Sequence, residues 1–120
     1  MVQMWDKYHS QGFEIFAFPC NQFANQEPGS DASIHAWAKE TYGVQFPMFH
    51  KADVNGPAAQ DTFKYCRFNS TLLDESNCIV GDITWNFGKF MMDPAGHVSK
   101  YYDPQVDLNS IEVDIQHALQ

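Results

Sequence analysis

The feature that most constrains this sequence is an apolar run that ends at a cluster of side-chain amides. Residues 13–18 are apolar at nearly every position, which predicts a short buried strand, and Pro19 ends its ladder because proline lacks a backbone N–H. Four amide side chains follow within residues 21–26. In open α/β sheets ligands bind at the carboxyl ends of the strands, so a polar site could form here. Taken alone, the segment favours an Asn/Gln-rich turn.

Composition and charge exclude several classes of partner. With 15 acidic and 7 basic residues among 120, the formal net charge is −8, and no basic stripe is available to hold nucleic acid or an anionic lipid surface. No apolar run is long enough to span a bilayer, so we expect no stable membrane insertion. The length predicts one domain with its own core.

The cysteines and histidines argue against a disulfide scaffold and against a metal site. Cys20, Cys66 and Cys78 form no C-x-x-C pair and cannot all be paired within one chain, which fits a reducing compartment and favours the cytoplasm. The sequon at residues 69–71 leaves an extracellular location open. The five histidines lack ligand spacing, so no metal is expected.

Helical periodicity marks an element on each side of the amide segment. Residues 1–8 repeat apolar side chains at helical spacing, and Gly12 closes that helix. A second helix begins at the capping residues 29–31 and ends at Gly43. Its predicted core face consists of Ile34, Trp37, Ala38, Thr41 and Tyr42.

The sequence of the middle of the chain predicts an edge segment, a turn, a helix and a loop. Residues 44–50 are apolar but interrupted by proline, which predicts an edge segment. Residues 53–57 form a predicted turn, and Pro57 suits the first position of a third helix. Cys66 lies on the apolar face of that helix and is interpreted as a small buried hydrophobe. Residues 69–82 are polar and loop-like.

The last part of the chain predicts a hairpin and a closing helix. Residues 83–92 lead into a short apolar strand, a turn follows at 93–96, and residues 98–102 can return antiparallel. The final helix is capped within residues 107–110. This order predicts a single α/β domain over residues 1–120, with a mixed sheet flanked by helices as in the thioredoxin fold. No start signal precedes the first helix, so we expect the domain to be incomplete at its N-terminus.

Several motifs, taken together and in this order, closely resemble those of the glutathione peroxidase family. They are the segment 18–23 (FPCNQF), Gln26-Glu27-Pro28, Trp85-Asn86-Phe87 with Lys89-Phe90, and Asp93, Gly96 and Tyr101. The resemblance covers essentially the whole chain.

This resemblance implies a thioredoxin fold that reduces hydrogen peroxide or organic hydroperoxides, usually with glutathione. The family's peroxidatic selenocysteine or cysteine is assisted by a glutamine, a tryptophan and an asparagine, which match Gln26, Trp85 and Asn86. The indole N–H and the amide N–H groups can donate to a thiolate or selenolate and so favour the charged nucleophile. No cofactor is expected beyond glutathione as reducing co-substrate.

Two departures from the family pattern refine the expectation. The first departure is that the peroxidatic residue and the first core strand should lie upstream of Met1, where we expect a selenocysteine. We therefore expect the chain by itself to be inactive and unstable. Lys39 occupies the position of the resolving cysteine in thioredoxin-dependent members, which favours direct use of glutathione. The short span between the third helix and Trp85 resembles the monomeric, phospholipid-hydroperoxide branch.

Two other functions remain open at this point. One is a thioredoxin-like pseudoenzyme or binding module that holds a thiol peptide without turnover. The other is a small thiol oxidoreductase that uses Cys20 or Cys78.

Overall fold

The computed structural model describes residues 1–120 and contains four α-helices and two separate two-stranded sheets. Their bounds are α1 Val2–Tyr8, α2 Asp31–Tyr42, α3 Asp61–Phe68, β1 Leu73–Asp74, β2 Ile79–Val80, β3 Lys89–Met92, β4 Val98–Tyr102 and α4 Leu108–Ala118. A short 3-10 turn at His9–Gln11 extends α1, and Gly12 ends it with φ 103°. The predicted first helix and its glycine stop are thus confirmed.

The predicted strand at residues 13–18 is wrong. The segment makes one parallel bridge, Ala17 with Met48, in which Ala17 N donates to Pro47 O at 3.0 Å and Phe49 N donates to Ala17 O at 2.8 Å. To extend the pairing towards the N-terminus, the next hydrogen bond would need the N–H of residue 47, and towards the C-terminus it would need the N–H of residue 19; both are prolines, which have no N–H. The ladder therefore stops at a single bridge.

Helix α2 has the predicted caps but a narrower buried face than predicted. Ser30 Oγ accepts from Ser33 N at 3.2 Å at its start, and Gly43 ends it with φ 67°. Only Ile34 and Ala38 are buried. Trp37, Thr41 and Tyr42 were predicted in the core but are exposed, and the rings of Trp37 and Tyr42 pack against each other at 5.4 Å. The helix therefore contacts the domain along one line of small and aliphatic residues.

Helix α3 begins later than predicted. Pro57 is not its first residue but lies in a turn, where Ala59 N donates to Gly56 O at 3.1 Å. Gln60 N donates to Asp53 O at 2.9 Å, which closes the connection before Asp61 starts the helix. Cys66 is buried as predicted, and burial raises the pKa of its thiol.

Both hairpins are antiparallel, and one of them was not predicted. The stretch interpreted as a loop contains the β1–β2 hairpin, in which Leu73 pairs with Val80. Cys78 is exposed in the turn between these strands with φ 54°. The β3–β4 hairpin was predicted and is confirmed, with Lys89 opposite Tyr102 and a bulge near Met92.

Two separate clusters of buried side chains form the interior. The first, here called the helical core, comprises Met4, Tyr8, Tyr102, Ile111 and Ile115. The second, here called the loop core, comprises Cys20, Phe23, Val54 and Ile83. None of the helices combines the length and apolar character that crossing a bilayer requires.

Candidate functional site

Two loops meet at one end of the loop core and bring two of the three predicted site residues into contact. Asn86 Nδ2 donates to Gln26 Oε1 at 2.9 Å, although the residues are 60 positions apart in the chain. Both side chains lie at the surface, with Asn86 half-buried and Gln26 exposed. The contact gives the Gln26 amide an orientation, because its oxygen faces Asn86 and its NH₂ group faces away.

Trp85 joins this pair by packing on the loop that carries Gln26. Its ring lies 6.0 Å from that of Phe23, centroid to centroid, with an interplanar angle of 52°. Phe23 is buried and precedes Gln26 by one tight turn. Trp85 is 47% exposed, so part of this residue is open to a group from outside this chain. All three predicted residues thus border the same two loops.

The first loop, residues 20–27, is shaped by left-handed backbone and by a side-chain cap. Ala24 and Asn25 have φ values of 57° and 52°, a conformation that non-glycine residues adopt rarely. Asn21 Oδ1 accepts from Glu27 N at 2.9 Å and so closes the turn. This geometry turns the chain back on itself and presents Gln26 at the surface.

The second loop, residues 83–88, is folded tightly on itself. A Cβ placed on Gly88 would lie 2.6 Å from Ile83 Cγ2, so only glycine fits there without a shift. Phe87 has φ 70° and is 77% exposed. The ammonium of Lys89 donates to the Phe87 carbonyl, and partial burial lowers the pKa of this lysine.

A third segment, residues 53–57, links the two loops through Asn55, which sequence reasoning did not select as a site residue. Its side chain pairs with the backbone of Ile83: Asn55 Nδ2 donates to Ile83 O at 2.8 Å, and Ile83 N donates to Asn55 Oδ1 at 2.9 Å. The available signal was the sequence Asp53-Val54-Asn55-Gly56, which was predicted to be a turn and was not assigned to the site.

The site offers hydrogen-bond donors without a formal charge. Gln26 Nε2 and Trp85 Nε1 donate to no other group of the chain. Asn86 Nδ2 has a second N–H besides the one that bonds to Gln26. Donors of this kind stabilise an anion through directed dipoles, and they cost little to keep in place when the loops are fixed. The geometry therefore suits a reactive thiolate, a selenolate or the oxyanion of a leaving group.

The cysteines of the chain differ in access, and none bonds to the Gln26, Trp85 and Asn86 side chains. Cys20 is buried, with Sγ 3.5 Å from Gln22 Oε1, and Cys66 is buried in α3. Cys78 is exposed but lies in the β1–β2 turn. No group of three or more His, Cys, Asp or Glu side chains is placed to hold a metal ion.

Comparison with known proteins assigns the chain to a class and then to a family. The crystal structure of T. cruzi GPX1 superposes on 98% of this chain and 67% of that chain with a TM-score of 0.72 and 28% identity. The crystal structure of Trgpx in apo form gives a TM-score of 0.73 at 23% identity, with the same coverage of 98% and 67%. These matches define a thioredoxin-fold protein, as predicted.

A family model described as glutathione peroxidase matches residues 1–67. Putative glutathione peroxidase 7, chloroplastic, of Arabidopsis thaliana is 44% identical over 120 residues, which is 99% of this chain and 49% of the relative. Phospholipid hydroperoxide glutathione peroxidase 1, chloroplastic, of the same plant is 42% identical over 119 residues, covering 99% and 48%. Glutathione peroxidase homolog BsaA of Bacillus subtilis is 41% identical over 122 residues, covering 100% and 72%. The chain belongs to the glutathione peroxidase family.

The lengths of these relatives differ from that of the chain. It spans about half the length of the two Arabidopsis relatives and 72% of the Bacillus relative.

Proposed function

We propose that the protein containing this chain reduces hydroperoxides with glutathione, and that Gln26, Trp85 and Asn86 stabilise its peroxidatic sulfur or selenium. The observation that carries this proposal is the 2.9 Å hydrogen bond between Asn86 and Gln26, which joins two distant loops beside Trp85. A contact of this kind needs both loops in one defined arrangement. It leaves the Gln26 NH₂ group and the Trp85 indole N–H without a hydrogen-bond partner in the chain, and both residues border the same two loops.

The nucleophile in this proposal is a selenocysteine or cysteine outside these 120 residues, upstream of Met1. Within the chain, Cys20 and Cys66 are buried, and burial raises the pKa of Cys66, which disfavours its thiolate. Cys78 is exposed but lies in the β1–β2 turn, outside the two site loops. A residue that approaches the site from outside the chain would meet three uncharged donors.

The reaction proceeds by transfer of one oxygen atom. The chalcogenolate attacks the terminal oxygen of the hydroperoxide, the O–O bond breaks, and the alkoxide leaves as an alcohol after protonation. The oxidised chalcogen then reacts with one glutathione, which releases water and forms a mixed disulfide or selenosulfide. A second glutathione attacks the sulfur of the bound glutathione, which frees the nucleophile and yields glutathione disulfide. The N–H donors stabilise the chalcogenolate and the departing oxyanion.

Other features bear on the reductant and the assembly. By the family resemblance, Lys39 matches the position of the resolving cysteine in thioredoxin-dependent members, so the proposed reductant is glutathione acting directly. The span between α3 and Trp85 is short and holds only the small β1–β2 hairpin, which supports a monomer. The excess of acidic residues supports soluble hydroperoxides as the substrates and argues against a nucleic acid partner. Three cysteines without a disulfide support a reducing compartment, for which we propose the cytoplasm.

The test measures hydroperoxide consumption with glutathione in the protein extended upstream by its own coding sequence. Asn86→Ala and Gln26→Ala should each lower kcat/KM for the peroxide by about 10²-fold or more, the range found when one preorganised donor is removed. Asn69→Ala is the matched control, because Asn69 Nδ2 bonds only to the nearby Tyr65 carbonyl at 2.9 Å. The 120 residues alone should show no rate above that of free thiol.

The outcomes separate the candidate functions. If Asn86→Ala and Gln26→Ala both retain the wild-type rate, these residues do not act on the nucleophile. If the extended protein binds glutathione but does not consume peroxide, it is a thiol-binding module. Rapid alkylation of Cys20 at neutral pH, faster than a model thiol, would instead indicate a thiol oxidoreductase.

A further inference from the structure

We propose that Gln22 and Asn55 are positioning residues that hold the two site loops in register, so that Gln26 and Asn86 meet. The inference rests on the proposed function for its activity readout, but its structural readout is independent of turnover. Neither side chain forms a hydrogen bond with the side chains of Gln26, Trp85 or Asn86, and the bonds that link the loops go to backbone groups.

Gln22 fixes the first loop to the segment that carries Asn55. Its Oε1 atom accepts from Val54 N at 2.7 Å and from Asn55 N at 3.0 Å, while its Nε2 atom donates to Asn55 O at 2.9 Å. One side-chain amide thus pairs with three backbone groups 32 or 33 positions away. Gln22 precedes Gln26 by four residues, within the tight turn that presents it.

Asn55 then fixes that segment to the second loop. Its side-chain amide forms a two-bond pair with the backbone of Ile83, at 2.8 and 2.9 Å. Ile83 is buried and is followed, two and three positions later, by Trp85 and Asn86. The hydrogen-bonded path therefore runs from Gln22 to Asn55 to Ile83, and it begins and ends within four residues of the Gln26 to Asn86 contact.

The loops need this path because regular structure does not hold them. Residues 20–27 and 83–88 lie outside every helix and strand. The Asn86 to Gln26 bond is at the surface, where water competes for both partners, so it cannot by itself fix two loops. A displacement of about 1 Å at a reacting group can cost about 100-fold in rate, so a loop shift is a catalytic defect as well as a structural one.

A purely structural role for Gln22 and Asn55 would have a different signature. Loss of a structural bond lowers activity by the same factor whether or not Asn86 is present. Loss of a positioning bond lowers activity by a larger factor while Asn86 still has a donor to position. Residues that act through one another are non-additive in a double-mutant cycle.

The experiment compares Asn55→Ala in two backgrounds of the extended protein, wild type and Asn86→Ala. We expect kcat/KM for hydrogen peroxide to fall about 10-fold or more in the first background and by a clearly smaller factor in the second, where only Gln26 and Trp85 remain to be misplaced. The pKa of the nucleophile, read from the pH dependence of its alkylation, should rise in the single variant because the Asn86 donor is misplaced. Asn69→Ala is the control and should change neither quantity.

Gln22→Ala provides a second route to the same result if Asn55→Ala folds poorly. Gln22 is exposed, so truncating its side chain opens no cavity in the loop core. In both variants the side-chain ¹H–¹⁵N resonance of Asn86 and the indole resonance of Trp85 should move, and in Asn69→Ala they should not.

Each outcome is decisive. Equal losses in the two backgrounds, or unchanged Asn86 and Trp85 resonances in both positioning variants, would overturn the inference. An Asn86→Ala enzyme with the wild-type rate would instead remove the proposed function, while the resonance shifts would still test whether Gln22 and Asn55 hold the loops.

Discussion

The two cores of this domain are built in opposite ways. Every member of the helical core lies in a helix or a strand, as Tyr102 in β4 and Ile115 in α4 illustrate. Every member of the loop core lies outside them, and Phe23 and Ile83 are examples. The candidate site is on the loop core.

The difference shows what a loop-built interior requires. Helices and strands satisfy their own backbone groups, whereas a buried loop needs other partners for its N–H and C=O groups. Here side chains supply them: Gln22 and Asn55 bond to backbone at the site, and buried Arg67 donates to Gly81 O at 3.1 Å and to Val54 O at 3.3 Å. Polar side chains therefore do in the loop core what ladders and helical turns do in the helical core.

The largest expected effect comes from a substitution that creates a cavity in the helical core. Ile115 is 1% exposed, and Ile115→Ala should lower the free energy of unfolding by about 2–5 kcal/mol, because buried methyl groups are lost and the cavity closes only in part. Val113→Ala on the same helix is the control, since Val113 is 48% exposed. Urea unfolding of the extended protein measures both. Similar midpoints for the two variants would show that the helical core does not carry the stability.

A smaller effect is expected from substitution of Arg67, which tests whether polar side chains stabilise the loop core. Arg67→Ala leaves the Val54 and Gly81 carbonyls without this donor and breaks the 2.9 Å pair with Asp82, so we expect a loss of about 1–3 kcal/mol. Amide hydrogen exchange should accelerate at Val54 and Ile83 before it does so at Ile115. Lys64→Ala, an exposed change on α3, controls for loss of charge. Uniform acceleration across both cores would mean that they unfold as one unit.

The smallest effect concerns the rim of the helical core and depends on pH. Hydrogen bonds from Lys100 and Tyr102 hold the pKa of Asp114 below its ordinary value of 3.8. A carboxylate with a lowered pKa in the folded state stabilises it above the ordinary pKa, and this contribution is lost as the pH falls through the folded-state value. Asp114→Asn should therefore cost about 0.2–1 kcal/mol at pH 7 and nothing in stronger acid. A difference that persists unchanged below pH 3, or that high salt does not reduce, would contradict this assignment.

The helical core could be predicted from the sequence because its signal is periodic. Apolar side chains at helical spacing placed α1 and α4, glycine marked the end of α1 correctly, and Asp107 caps α4 by accepting from Asn109 N at 3.1 Å. The same reasoning failed for Trp37 and Tyr42, because periodicity identifies a helical face but not how much of it another element covers. It also failed at residues 13–18, where prolines limit the pairing to one bridge.

The candidate site was reached by a different route. Gln26, Trp85 and Asn86 were selected through family resemblance, and the hydrogen bond between Gln26 and Asn86 depends on tertiary structure that no local pattern encodes. Asn55 was missed because asparagine before glycine is a common turn signal, and its pairing with Ile83 joins residues 28 positions apart. The residues that hold loops together are the ones that periodicity does not detect.

The exposed Cys78 has a practical consequence for any thiol chemistry done on this protein. Of the thiols in the chain, it is the one open to solvent, while Cys20 and Cys66 are covered. Among these three cysteines, oxidation by peroxide and labelling with a maleimide dye will therefore occur first at the tip of the β1–β2 hairpin. A Cys78→Ser background is the proper starting material for assigning oxidised sulfur to a particular residue, and the same position is a convenient anchor for a fluorophore.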